Sequence, residues 1–309
     1  MRHWVHLVFG VAAAFVAAVP AGAEDFGYLG RMTFSTNDTF GDGGDRWQTN
    51  GKTLSLMFGR EGVEGLPSQP GRLIEFRARA QLITPDDYAA PAAWDRPAAA
   101  VLTTTLNTHF ETAGYEFSVG AGVAFTGPQT HLFDIQEFIH GINPWADPFV
   151  PDAVLNDQIA NGFYPTLLGE AGRPFALSDR VTIRPFVEAQ AGVESFARVG
   201  ADIRIGDGWD GATLLRDATT GFAYHGFDPG ARSGLSVVLG ADTARVFSSA
   251  LLPAADGYRL TSQRHRLRGG LLFEHERLSV FYGASWLSPE FAAQPEGQVV
   301  AAYKVKIRF

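Results

Sequence analysis

The sequence predicts an all-β chain: a closed antiparallel transmembrane β-barrel of about 12 strands, with a short helix in one extracellular loop. Three observations carry that expectation. Apolar and polar residues alternate with period two in segment after segment, most clearly from Tyr115 to Phe125, where large apolar residues fill the odd positions and small or polar ones the even. Charged side chains recur on the second face: Glu75, Arg77 and Arg79 sit between Ile74, Phe76, Ala78 and Ala80, and Arg264, Arg266 and Arg268 lead into Leu271 and Phe273. Such a face suits a hydrated lumen and would be costly inside a sandwich core. The composition agrees, with 35 Gly and 12% aromatic residues among 309, and a mean hydropathy near zero, as expected when only every second residue is apolar.

Taken in order, residues 1–23 read as a signal peptide: Arg2 and two histidines, an apolar run from Val8 to Val19, and Ala21-Gly22-Ala23 as an A-x-A cleavage site. Residues 24–309 then form one barrel domain with expected strands at 25–36, 48–60, 71–84, 99–110, 113–125, 157–170, 180–192, 195–206, 233–247, 262–274, 277–287 and 297–309. In the last of these Tyr303, Val305, Ile307 and Phe309 alternate with Lys304, Lys306 and Arg308, and a terminal amphipathic strand ending in Phe resembles the assembly signal of bacterial outer-membrane barrels. The expected location is therefore the bacterial outer membrane, crossed many times. Three connections exceed a hairpin turn, 85–98, 126–156 and 207–232, and long barrel loops are expected to face outward. Against 25 Lys and Arg stand 33 acids, so the chain has no electrostatic footprint for nucleic acid.

Three polar clusters punctuate this pattern. The first hairpin carries Asn37-Asp38 and then Asp45-Arg46-Trp47-Gln48-Thr49-Asn50-Gly51, which by composition alone read as turn residues and also offer oxygen ligands for a hard cation such as Ca2+. Thr84-Pro85-Asp86-Asp87 and Asp95-Arg96-Pro97 bracket the second loop, where a rim Arg96 could grip a phosphate or carboxylate. In the 126–156 loop Leu132, Ile135 and Ile139 recur at helical spacing, Gln136 and His140 lie at i and i+4 on a neighbouring face, and Asn143-Pro144 ends the helix. A His there is placed to act as a general base, although His109, His131, His225, His265 and His275 compete for the role.

In this order and spacing, together with Asn156-Asp157-Gln158-Ile159 and Ser288-Pro289-Glu290-Phe291 with Gln294, the clusters make nearly the whole mature chain resemble the outer-membrane lipid A 3′-O-deacylase family. The resemblance implies an ester hydrolase acting on lipid A of lipopolysaccharide, with Ca2+ as cofactor and chemistry similar to phospholipase A2. It implies a catalytic set of His140, Asn37, Asp38 and Gln136, substrate contacts at Arg96, Arg46 and Thr49, and metal contacts at Asp38, Asp45 and Asp147. A monomer is expected. Two departures stand out: Ala98-Ala99-Ala100 replaces the family's Tyr-Ala-Gly, and the acid that follows the His is displaced to Asp147. The alternative reading is a non-catalytic barrel, a structural or adhesive protein or a narrow channel, that retains the scaffold.

Overall fold

The computed structural model describes residues 26–307 apart from 61–64, 88–90, 93, 143–149, 210–212 and 228–232. The expected signal peptide, Asp147 and Phe309 lie outside the described residues. Fifteen strands are described: β1 (Phe26–Asn37), β2 (Trp47–Arg60), β3 (Leu73–Thr84), β4 (Ala99–Thr112), β5 (Tyr115–Thr126), β6 (Gly162–Gly172), β7 (Phe175–Ser178), β8 (Val181–Ala191), β9 (Glu194–Ile205), β10 (Thr213–Arg216), β11 (Ala223–Phe227), β12 (Gly234–Ser249), β13 (Gln263–His275), β14 (Leu278–Leu287) and β15 (Gln298–Ile307). Twelve close into an antiparallel ring, since β6 pairs with β8 and β1 with β15, while β7 merely extends the edge of β8. Closure joins the first strand to the last, which is the condition for a sheet to cross a bilayer.

Alternation sorts the two faces as the pattern requires. Val119, Leu167, Val187, Val199, Leu239, Leu271 and Val305 are exposed on the outer wall. Inward, Arg268 reaches Asp202 at 2.6 Å and also pairs with Asp242, Arg266 meets Asp242 at 2.9 Å, and Arg184 bridges Glu116 and Glu170, both at 2.5 Å. These inward charges thus meet their opposites on other strands of the ring, which offsets the cost of taking them out of water.

The long 207–232 connection departs from expectation. Strands of an up-and-down barrel alternate in direction, so the link from β9 to β12 falls at the end that carries the 113–114 and 276–277 turns, opposite the 85–98 and 127–161 loops. It does not face outward. It folds into the lumen as the β10–β11 hairpin, whose Tyr224 ring stacks on Phe34 of β1 at 4.3 Å and whose Phe222 packs against Phe281 of β14. The lumen is consequently part apolar core: Met32, Phe34, Met57, Trp209, Leu215, Phe222 and Phe281 form one buried cluster. Period-two reading missed this because inward apolar residues were scattered among the charged ones.

Wall side chains satisfy the hairpin tip. Arg266 donates to the Ala218 carbonyl at 2.8 Å, Arg79 to the Thr219 hydroxyl at 2.6 Å, and Ser285 to the Thr220 carbonyl at 2.9 Å. Gly221 turns the tip at φ 77°, and an added Cβ there would meet the Arg266 and Arg268 guanidinium groups at 2.8 Å. Between the tip and the outer rim the lumen holds a cavity of about 130 Å³. A second correction concerns the sixth ring strand, expected from 157 but starting at Gly162. Residues Asp152–Asn156 form a short helix instead, and Ile159 donates to the Ala98 carbonyl at 2.8 Å, tying the end of the loop back to the wall.

Candidate active site at the outer rim

The motifs that were separate in sequence join at the rim. Arg46 pairs with Asp86 at 3.0 Å and Glu296 at 2.9 Å, and its guanidinium lies 4.4 Å from the centre of the Trp47 ring. The Trp47 indole donates to Asp95 at 3.1 Å, while the Thr49 and Thr84 hydroxyls meet at 2.6 Å. Gln48 donates to Glu290 at 3.0 Å, and Gln298 links the Gln48 backbone N–H, the Arg46 carbonyl and Asp38. A bulge at the start of β2 makes this possible. Trp47 has φ 51°, an unusual conformation for a bulky residue, and the register slips between Trp47 and Asn50. Gln48 therefore reaches inward to Gln81, while Thr49 meets Thr84. Trp47, Gln298 and Glu290 are not among the expected site residues; Trp47 lies inside the Asp45–Gly51 run and Glu290 inside Ser-Pro-Glu-Phe, whereas Gln298 carries no motif signal.

Arg96 has an occupation other than gripping a surface phosphate. It is 3% exposed, and its guanidinium pairs with Glu290. Burial works against ionisation of Glu290, yet Arg96 and Arg264, the latter at 3.2 Å, hold that carboxyl below the usual range. Arg96→Ala is expected to cost about 3 kcal/mol, as for one partner removed from a buried pair, read as a lower urea midpoint of the folded barrel. A raised KM at unchanged stability would instead return Arg96 to substrate binding.

Asn37 and Asp38 end β1 on opposite faces. Asp38 is fully buried, accepting from the Thr39 N–H at 2.9 Å and the Arg46 N–H at 2.7 Å. Burial pushes its carboxyl up to about 8; the Arg46 N–H opposes the rise, and the Asp45 and Asp42 carboxylates add to it. Asn37, on the outer face, has a buried side-chain oxygen with no hydrogen-bond partner. An orphaned amide oxygen is the donor chemistry a hard cation accepts, and the acids Asp38, Asp42 and Asp45 crowd the loop that follows it, so these residues fit Ca2+. Among the described residues no cluster of three or more His, Asp or Glu stands ready for a metal, so any such site must draw on amide, hydroxyl and backbone oxygens or on Asp147.

Register places Asn37 in a slot. Asn37 pairs with Asn50, Asn50 with Leu82 and Leu82 with Ala100, a row at one height across four neighbouring strands. On one side the 38–46 loop folds down the outer wall: Phe40 packs on Tyr303 with ring centres 5.7 Å apart, and its carbonyl accepts from the Tyr282 hydroxyl at 2.9 Å. On the other side the helix Leu132–Ile142 lies over β3 and β4, where Phe133 packs with Leu82, Ala98, Ala100 and Val154. Between these walls β1 and β2 form a floor about 10 Å across at the usual strand spacing. Asn37 and Asn50 lie on that floor, with the exposed Lys52 below them. Ala98 and Ala100, where the family pattern has Tyr and Gly, are buried under the loop, their small side chains allowing Phe133 to seat closely.

The loop helix meets the wall with a face other than the one its apolar spacing suggests. At 3.6 residues per turn, His140 and Gln136 lie only ~20° and ~60° around the axis from Phe133. They are half-buried, whereas Ile135, Phe138, Ile139 and Ile142 are 50–70% exposed. The competing histidines sit elsewhere: His109 meets Glu75 inside the lumen at 3.0 Å, His225 belongs to the hairpin, and His131 pairs with Asp134 on the outside of the loop at 2.7 Å. His265 and His275 are exposed on β13.

Comparison with known proteins follows this geometry. No curated relative matches the chain at the level of sequence. Among solved structures, LpxR from Salmonella typhimurium superposes with a TM-score of 0.72 at 17% identity, covering 91% of this chain and all of that one. The β domain of the Bordetella autotransporter BrkA (TM-score 0.42, 9% identity, 93% and 100% covered) and the translocator domain of NalP from Neisseria meningitidis (0.40, 8%, 100% and 97%) follow at a distance. The family model described as "Outer membrane protein LpxR" matches residues 7–309, so the chain, a twelve-stranded ring with a loop helix seated on its outer wall, belongs to the LpxR family of outer-membrane proteins.

Proposed function

We propose that this chain hydrolyses the 3′-O-linked acyl ester of lipid A in the outer leaflet, in the slot between the 38–46 loop and the loop helix. The observation that carries the reading is the seating of the loop helix: the face bearing Gln136 and His140 is turned to the barrel wall at the height of Asn37. A slot on the lipid-facing wall takes an acyl chain from the bilayer without passage through the lumen. The hairpin that fills the lumen also argues against the narrow-channel alternative.

His140 acts as the general base. Its neutral imidazole takes a proton from water, whose oxygen attacks the ester carbonyl carbon. The tetrahedral intermediate then collapses, breaking the bond to the sugar oxygen, and the imidazolium returns the proton to that leaving oxygen. A fatty acid and a free sugar hydroxyl result. Gln136, one turn before His140, orients the water or the ester by hydrogen bonding. Asn37 and Asp38, with Asp45 and Asp147, would hold Ca2+, whose charge supplies stabilisation for the developing oxyanion. Arg46, partly exposed at the rim above the slot, positions the substrate head, while Thr49 is buried with its hydroxyl on Thr84 and supports the start of β2 beneath it. Mass spectrometry of lipid A from cells with and without the gene tests the activity: a species lacking one acyl chain is expected only with the gene, and unchanged acylation would remove the enzyme reading.

Metal dependence gives a second expectation. Between its ordinary value of 3.8 and about 8, the buried Asp38 keeps a proton that the unfolded chain has lost. Its contribution to stability therefore falls as pH rises through that window, and a bound cation displacing the proton relieves the penalty. Added Ca2+ should accordingly raise the unfolding midpoint more at the alkaline end of the window than at the acid end, and Asp38→Ala should abolish the difference. Chelator should abolish turnover in the unmodified chain. Activity indifferent to chelator would leave Asp38 a purely structural acid.

A further inference from the structure

The loop helix is turned inside out for a helix in water. Ile135, Phe138, Ile139 and Ile142 follow the i, i+3, i+4, i+7 spacing that buries an amphipathic helix against its own protein. Here that stripe is 51%, 59%, 50% and 70% exposed, and the polar Gln136 and His140 face the wall. Four large apolar side chains aligned on one face of a single helix form a contiguous patch of the kind that marks an interaction surface. The carboxylates of Asp134 and Glu137 flank it on the side away from Gln136.

What covers the stripe follows from where the helix sits. Leu82 and Ala100, on which Phe133 rests, belong to the outward set of β3 and β4, the set that elsewhere forms the lipid-facing belt. A helix laid on that wall presents its far side to whatever the wall faces. The belt reaches this height. Phe125 and Phe163, an edge-to-face pair with ring centres 5.5 Å apart, project outward on the next two strands; Phe125 is in register with Leu102, two residues below Ala100. Aromatic rings at the upper edge of an apolar belt mark the bilayer interface of such barrels.

We infer that the Ile135–Phe138–Ile139–Ile142 stripe is immersed in the acyl layer of the outer leaflet, so that the loop helix lies in the membrane interface and holds one side of the slot open to lipid. An interfacial helix normally buries its apolar face in the acyl boundary and keeps its charges toward the headgroups. This helix does the same while fastened to the barrel through Phe133. The inference is independent of whether His140 is a base.

The chain has no cysteine, so single thiols can report on each face. Phe138→Cys and, as a second position, Ile135→Cys are each labelled with an environment-sensitive fluorophore, with Glu137→Cys as the reference on another face. The full chain is reconstituted in phosphatidylcholine vesicles carrying a doxyl group on the acyl chain, and folding is verified by heat-modifiable mobility. The labels at 138 and 135 are expected to shift to the blue, to be quenched by the doxyl lipid and to resist aqueous iodide. The label at 137 is expected to show the reverse. Iodide quenching at 138 and 135 equal to that at 137 would place the stripe in water and overturn the inference. Shielding from both quenchers would mean that a second copy or another segment of this chain covers it, and would overturn it equally.

Discussion

Replacing His140 by Ala is expected to lower deacylation by roughly 10²-fold or more, the usual loss when a general base is removed, while the barrel still folds. The magnitude follows from the simplicity of the machinery proposed: one base and one electrophile, with no nucleophilic side chain to take over. Measuring kcat and KM separately distinguishes a base from a contact, because loss of a base lowers kcat, whereas loss of a binding contact raises KM. A Phe133→Ala control loosens the helix from Leu82 and Ala100 without touching the imidazole, and should lower activity through misplacement of the helix. If His140→Ala retains full turnover, the chemistry lies outside the slot, and the family scaffold serves a different reaction here.

The second large effect concerns stability. Arg268 is shielded from solvent and bonds both Asp202 and Asp242, which also hold other arginines: Asp202 holds Arg216 at 2.9 Å, and Asp242 holds Arg266 at 2.9 Å and Arg198 at 3.1 Å. Arg268→Met removes one cation from this alternating array and strands negative charge in the lumen. A cost of about 3–5 kcal/mol is expected, because unpairing a buried ion is far more destabilising than deleting the whole pair. Unfolding by urea, followed by loss of the compact band on unheated gels, measures it. Adding Asp202→Asn to Arg268→Met removes one negative charge for the one positive charge lost, leaves Arg216 paired with Glu170, and should recover much of the loss. No recovery would mean that Arg268 acts through packing, its guanidinium lying 5.8 Å from the centre of the Phe186 ring.

Alternation made the ring legible in the sequence because it is a property of each strand by itself: Val119 outward and Ser118 inward need no knowledge of the neighbours. The hairpin was not legible, since Phe222 and Tyr224 face Phe281 and Phe34 only once the wall has curved around them. At the rim the motifs were readable but their division of labour was not. Asp45-Arg46 and Asp95-Arg96 look alike in sequence, yet Arg46 lies at the rim against Asp86 and Glu296, while Arg96 is sealed against Glu290. The loop helix was predicted from its apolar spacing, but spacing alone does not say whether the apolar face meets protein or lipid. Phe133 decides it, as the one residue of the helix that is buried.

Ring closure carries a consequence for cohesion. Among the described residues the β1–β15 ladder comprises three pairs, Ser35 with Tyr303, Thr36 with Ala302 and Asn37 with Ala301, whereas β1 and β2 share eleven. The staves of this barrel are therefore joined least firmly where the first meets the last, and what joining there is lies at the outer end, next to Asn37. Tyr224 of the hairpin stacks on Phe34, one residue below that short seam, bracing the first stave from within. The hairpin is fixed at both ends of this brace, because its tip is gripped by Arg266, Arg79 and Ser285 of other staves. The connection between β9 and β12 thus supplies from inside the hoop the joining that the short seam lacks.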